Sequence, residues 1–146
     1  MFVPARDHLP IRQRFAPVVA VGVARLLARQ RPARLHRSLT WLSKGAVQAS
    51  HSSALTARRA VTSVSTLCAG EGCLPRSIAT ALLCRLHGGW PTWHAGVIPR
   101  PFLAHAWVEA EGKLVGEPYQ PGELKPVMTV APRGVTRPGR LSPRRG

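Results

Sequence analysis

A chain of 146 residues, 45% of them apolar, can bury one modest core and has the composition of a single folded domain, which excludes a long disordered protein. Its net charge of +15 comes almost wholly from arginine, since lysine occurs only at Lys44, Lys113 and Lys125. That balance invites an acidic partner, but no basic cluster is interleaved with aromatic residues, so nucleic-acid binding is not the expected role.

Residues 1–10 carry Pro4 and Pro10 and read as a loose arm. Apolar and basic residues then alternate at helical spacing from Ile11 to about Gln30, with a bend expected near Pro17. The segment FAPVVAVGVA (15–24) could pass for the core of a signal peptide. However, it contains Pro17 and Gly22, runs into an Arg/Leu helical pattern, and falls short of the roughly 18 apolar residues a membrane span needs. A packed helix, no membrane span and a cytoplasmic location are expected. Pro32 breaks the chain; a second helix is expected from Ala33 to about Ala49, with Leu35, Leu39 and Leu42 on one face. HSS at 51–53 offers an N-cap for a third helix over about Ala54 to Leu67. Nothing in this first half looks chemical.

At Cys68 the character changes. CAGEG (68–72) is a glycine-bearing loop, and CLPRSIATALLCRLHGG follows, with Leu74, Ile78, Ala81 and Leu82 at helical spacing. Pro75 is tolerable only in the first turn and Gly88–Gly89 supplies a stop, which puts Cys73 at the N-terminal edge of a mostly buried helix. Beyond the stop the period becomes two, over PTWHAGVI (91–98), AHAWVEA (104–110) and KLVGE (113–117), with a shorter strand expected at Val127–Val130. The Pro/Gly/Arg-rich stretch 131–146 reads as a disordered basic tail. The organisation expected is therefore an arm (1–10), a helical part (11–67), a mixed core (68–130) and a tail (131–146), with an α+β fold.

An odd number of cysteines, Cys68, Cys73 and Cys84, makes a poor disulfide framework and fits a reducing compartment. Cys68, Cys73, Cys84 and His87 have zinc-like spacing, yet Cys73 and Cys84 on one helix stand about 16 Å apart along its axis. Two ligands of one ion cannot be so far apart, so no metal is expected. Cys84 lies mid-helix among leucines and reads as a small buried hydrophobe. Cys73 differs, because a helix N-terminus favours thiolate over thiol. His94 lies in the first strand with no obvious acidic partner. His105 has one in Glu117 if the hairpin turns through the three-residue loop Ala110-Glu111-Gly112. That register sets Glu109 opposite Lys113, Trp107 opposite Val115 and His105 opposite Glu117. A two-residue Glu111-Gly112 turn would instead put Glu117 on the other face from His105. The longer loop satisfies all three pairs and is the register expected. Trp90, Trp93 and Trp107 are candidates to line a groove, with a core role expected for at least two.

GCLPRSIATALLCRLHG followed by PTWHAGVIPRPFLAHAWVEAEGKLVGEP resembles the leader peptidases of lasso-peptide biosynthesis, in the stand-alone form of the microcin-processing protein C-terminal domain, a transglutaminase-like branch of the papain-like cysteine proteases. The match covers 68–130 clearly and the helices before it more loosely. It rests on the Cys-Leu-x-Arg-Ser helix start together with the Pro-Phe-x-Ala-His-Ala-Trp-Val-Glu strand. The resemblance implies N-terminal helices followed by a catalytic helix on a small antiparallel sheet. It also implies Cys73 as nucleophile, His105 as general base and acid, and Glu117 at the place of the orienting acid, where the family commonly has aspartate. It implies no cofactor. Its partners would be a precursor peptide, a separate leader-binding protein and an ATP-dependent lasso cyclase. The competing reading is a non-catalytic basic adaptor for a peptide or nucleic acid. A third possibility uses the same three residues for acyl transfer to an amine instead of water.

Overall fold

Alternating small and basic residues fold the first half of the chain into helices because their apolar positions recur on one face. The computed structural model describes residues 11–64, 72–99, 102–120 and 122–132, the side chains of residues 11–14 excepted. The expected arm, Cys68 with most of its loop, and nearly all of the expected tail lie outside the described residues. Helix α1 (Ile11–Ala28) runs through Pro17, and α2 (Pro32–Ser43) begins on a proline whose missing N–H costs a helix nothing at its first position. Ala20, Val21 and Ala24 of α1 are buried, while Phe15, Val18, Val19 and Leu26 lie exposed on its other side. Among the described residues no helix is long and apolar enough to cross a membrane.

The second helix is shorter than its periodicity predicts. The chain turns at Lys44–Gly45, where Gly45 takes a φ of 77°, and Val47–Gln48 becomes strand β1 instead of a last helical turn. Arg85 closes α2 by donating from Nε to the Leu42 carbonyl at 2.8 Å. Helix α3 (His51–Val64) starts three residues earlier than expected, because its cap is Ser50, whose hydroxyl accepts the Ser53 N–H at 3.1 Å. Helix α4 (Cys73–Leu86) starts at the predicted cysteine and stops at Gly88, which has a φ of 84°. Strand β2 (Gly89–Trp90) then pairs in parallel with β1.

A four-stranded antiparallel sheet completes the α+β fold, in the order β5-β4-β3-β6. Its strands are β3 (Thr92–Pro99), β4 (Phe102–Ala110), β5 (Lys113–Leu114) and β6 (Lys125–Val130). Successive side chains of a strand point to opposite faces, and the two faces differ in company. Trp93, Ala106, Val108, Ala110 and Val130 join the main core with α1, α2, α3 and α4, while Trp107 packs with Ile98 and Leu124 in a smaller cluster on the other face. Trp90, Trp93 and Trp107 are all fully buried, so none lines a groove. Trp93 donates to the Ser77 hydroxyl at 3.0 Å and Trp90 to the Val130 carbonyl at 3.2 Å, which satisfies both indoles inside the core.

The β4–β5 turn corrects the expected register. Ala110 pairs with Lys113 and Glu109 with Leu114, so the turn has two residues, Glu111 and Gly112. Their φ values of 55° and 74° are both positive, as a turn matched to strand twist requires. Glu111 offsets the strain of its left-handed backbone through its carboxylate, which accepts the first N–H of α3, that of His51, at 2.9 Å. The expected Glu109–Lys113 and Trp107–Val115 pairs are therefore not formed; Val115 instead donates to the Val108 carbonyl at 3.1 Å.

Candidate active site

Strand β5 is only two residues long, and that brevity positions the site. The Val108 carbonyl points toward β5, so the N–H of Ala106, two residues back on the same strand, points out of the same edge. Among the described residues no strand covers β4 at that level; the first turn of α4 packs there, and the Cys73 sulfur accepts the Ala106 N–H. Gly72 is the helix N-cap and Cys73 the first helical residue. Pro75 has no N–H and the Arg76 N–H goes to the Gly72 carbonyl at 3.0 Å, so the first-turn donors left to face a substrate are those of Cys73 and Leu74.

His105 meets Cys73 from β4. A hydrogen bond between their side chains is the largest influence on both: it lowers the Cys73 pKa and raises that of His105 to about 9. Glu117 adds to the rise in His105, and the Ala106 N–H adds to the fall in Cys73 against the opposing effect of burial. The His105 Nε2–H donates to Glu117 Oε2 at 2.9 Å, with the Glu117 side chain only 3% exposed. With Nε2 committed to Glu117, Nδ1 is the nitrogen available to Cys73. The contact favours a thiolate beside an imidazolium, held from behind by a buried carboxylate.

Cys73, His105 and Glu117 are thus brought together, although the ladder reasoning that paired the last two does not hold. In the observed register a continued strand would carry Glu117 away from His105. The ladder ends first. Gly116 takes a φ of 65°, which turns the chain and delivers the carboxylate to Nε2 from a loop. The glycine in Leu-Val-Gly-Glu is the sequence signal for this turn; alternation alone reads the stretch as strand.

Aromatic rings fix the imidazole plane. Trp107 stacks on His105 at 6.0 Å with 12° between planes, and Tyr119 meets it edge-on at 5.5 Å. His94 also stacks on Trp107, at 5.2 Å. Contrary to expectation, His94 does have an acidic neighbour: Glu109 Oε2 stands 3.4 Å from Nε2, while Nδ1 bonds the Thr129 hydroxyl at 2.8 Å. Burial lowers the His94 pKa against the pull of Glu109, so this second histidine is neutral.

Sequence reasoning misses two arginines. Arg76 Nη2 stands 4.0 Å from Glu117 Oε1, and Arg58 reaches the same region from α3. Periodicity cannot find Arg58, since its partners lie far along the chain. Cys84 is buried in the core and burial pushes its thiol up to about 11, as fits the expected inert hydrophobe.

A helix-borne cysteine, a strand-borne histidine and a buried carboxylate brought together on an α+β scaffold have the arrangement of papain-like cysteine–histidine sites. The match to the transglutaminase-like superfamily family model spans residues 17–129, well over half of the chain, and the protein belongs to that superfamily. The match begins inside α1, so the N-terminal helices are part of the family domain. No curated protein and no solved structure matches the chain.

Proposed function

We propose that this protein is a cysteine peptidase that removes the leader from a ribosomally made lasso-peptide precursor, with Cys73, His105 and Glu117 as its working residues. The observation that carries the reading is the alignment of the three side chains, Cys73 to His105 to Glu117 Oε2 at 2.9 Å. The resemblance carried by the Cys-Leu-x-Arg-Ser and Ala-His-Ala-Trp-Val-Glu motifs is what supports the substrate class.

The Cys73 thiolate attacks the carbonyl carbon of the leader–core peptide bond, forming a C–S bond and an oxyanion. The Cys73 and Leu74 N–H groups at the start of α4 are the nearest available donors to that oxyanion. Collapse breaks the C–N bond while His105 Nδ1–H gives its proton to the leaving amine, the new N-terminus of the core. Neutral His105 then takes a proton from water as the oxygen attacks the thioester, and the C–S bond breaks to regenerate the thiolate. Glu117 orients His105 and stabilises the imidazolium. A separate leader-binding protein would deliver the precursor, and an ATP-dependent cyclase would consume the freed amine by joining it to an acidic side chain.

Cys73→Ala tests the assignment: it should abolish precursor cleavage and leave the thermal melt intact, and an active variant would sink the reading. Site-resolved labelling with a thiol-directed electrophile separates peptidase from adaptor, because an adaptor gives no preference for Cys73. Product masses distinguish hydrolysis from acyl transfer to an amine, an activity the superfamily also includes.

A further inference from the structure

Glu117 divides its two oxygens between different partners. Oε2 accepts from His105 at 2.9 Å, and Oε1 faces Arg76 Nη2 at 4.0 Å, with the Arg76 side chain 11% exposed. Arg76 sits three residues after Cys73, on the same side of the first turn of α4. A second guanidinium, Arg58 of α3, lies along the backbone just before the acid. A Cβ on Gly116 would stand 2.7 Å from Arg58 Cδ and 2.8 Å from both Nε and Nη1. Burial and the neighbouring Arg76 lower the Arg58 pKa, while Glu117 raises it. A buried and a half-buried like charge side by side are unfavourable unless an anion joins them, and Glu117 is that anion.

We propose that Arg76 and Arg58 form a two-arginine clamp that positions Glu117 and holds its carboxylate against His105. Among the described residues, the charged and titratable groups around Glu117 are His105 from β4, Arg76 and, through His105, Cys73 from α4, Arg58 from α3, and Tyr119 from its own loop. With a cation on either side of it, the carboxylate is held where Oε2 meets His105. The clamp also means that the helical first half contributes to the site. These are positioning residues: neither touches the scissile bond. The proposal rests on the peptidase reading for its purpose, but its test needs no substrate.

The test measures the rate of Cys73 alkylation by iodoacetamide against pH, read peptide by peptide so that the other thiols do not contribute. Without Arg76 the carboxylate is no longer held against His105, the imidazolium is stabilised less, and Cys73 holds its proton to higher pH. Arg76→Met should therefore move the acid midpoint of alkylation up by about half a pH unit or more. The rate below the wild-type midpoint should fall severalfold. Arg58→Met should move the midpoint less, in the same direction, and Arg76→Lys should fall between wild type and Arg76→Met. A merely structural role would lower the melting temperature without moving the midpoint. The clamp is overturned if the folded methionine variants keep a midpoint within about 0.2 pH unit of wild type. Should Arg76→Met not fold, Arg58→Met decides the matter by the same criterion. If the midpoints move but no precursor is cut, the clamp stands and the peptidase reading falls; cleavage with unmoved midpoints sinks the clamp alone.

Discussion

His105 ionises late and Cys73 early because each is the other's main hydrogen-bond partner, with Glu117 reinforcing the imidazolium. The working form therefore exists between the lowered Cys73 pKa and about 9, the raised value of His105, these being properties of the coupled pair. Cleavage should fall above about pH 9, where His105 can no longer protonate the leaving amine, while Cys73 alkylation should stay high there. A pH profile of both rates on one preparation checks this divergence. Glu117→Gln removes the charge that favours imidazolium; cleavage should drop by roughly 10²-fold or more, and the basic limb should move to lower pH. Cys84→Ala is the contrasting case. Its thiol is buried and held neutral near neutral pH, so the variant should cut at the wild-type rate and lose only about 1 kcal/mol of stability in a denaturant melt.

At the scale of elements, Cys73 is legible because a first-turn proline, a glycine cap and apolar spacing all mark the same helix start. The sheet is legible from its period of two, although β4 begins two residues before the expected alanine and β5 ends at Leu114. The hairpin register is not legible, since Glu-Gly fits two turn lengths and the choice depends on Glu111 reaching α3. Gly116 and Gly112 separate backbone strain from site geometry. Both have positive φ, but a side chain at Gly112 meets open space, whereas one at Gly116 meets Arg58. Gly112→Ala should cost about 1–2 kcal/mol and leave cleavage nearly unchanged. Gly116→Ala should cost at least as much and also depress cleavage, because it displaces both the arginine and the turn that delivers Glu117. Melting temperature and cleavage rate measured on the two variants give the comparison.

Across the whole molecule, the helices and the sheet share one core. Ala20 and Ala24 of α1, Leu39 of α2, Val61 of α3 and Ile78 of α4 are buried together with Trp93 and Val108 of the sheet. The first half reads as chemically silent because helical spacing reports burial, not which arginine will fold back on a distant carboxylate. A fragment restricted to residues 72–132 should therefore lack a cooperative melt, since α4 loses its cover from α1 and α3; circular dichroism on heating is the check.

The early end of β5 has a consequence for how the site can vary. In a ladder, adding or removing one residue is an all-or-nothing event, because every side chain beyond it changes sides. In the stretch from Gly116 to Tyr119 there is no ladder, so a change in chain length there shifts the acid by a graded amount. A shorter acid could be compensated by a small change in loop length, without rebuilding the sheet. The third member of the triad is thus free to drift in type and position while the cysteine and histidine, pinned to a helix start and a paired strand, are not.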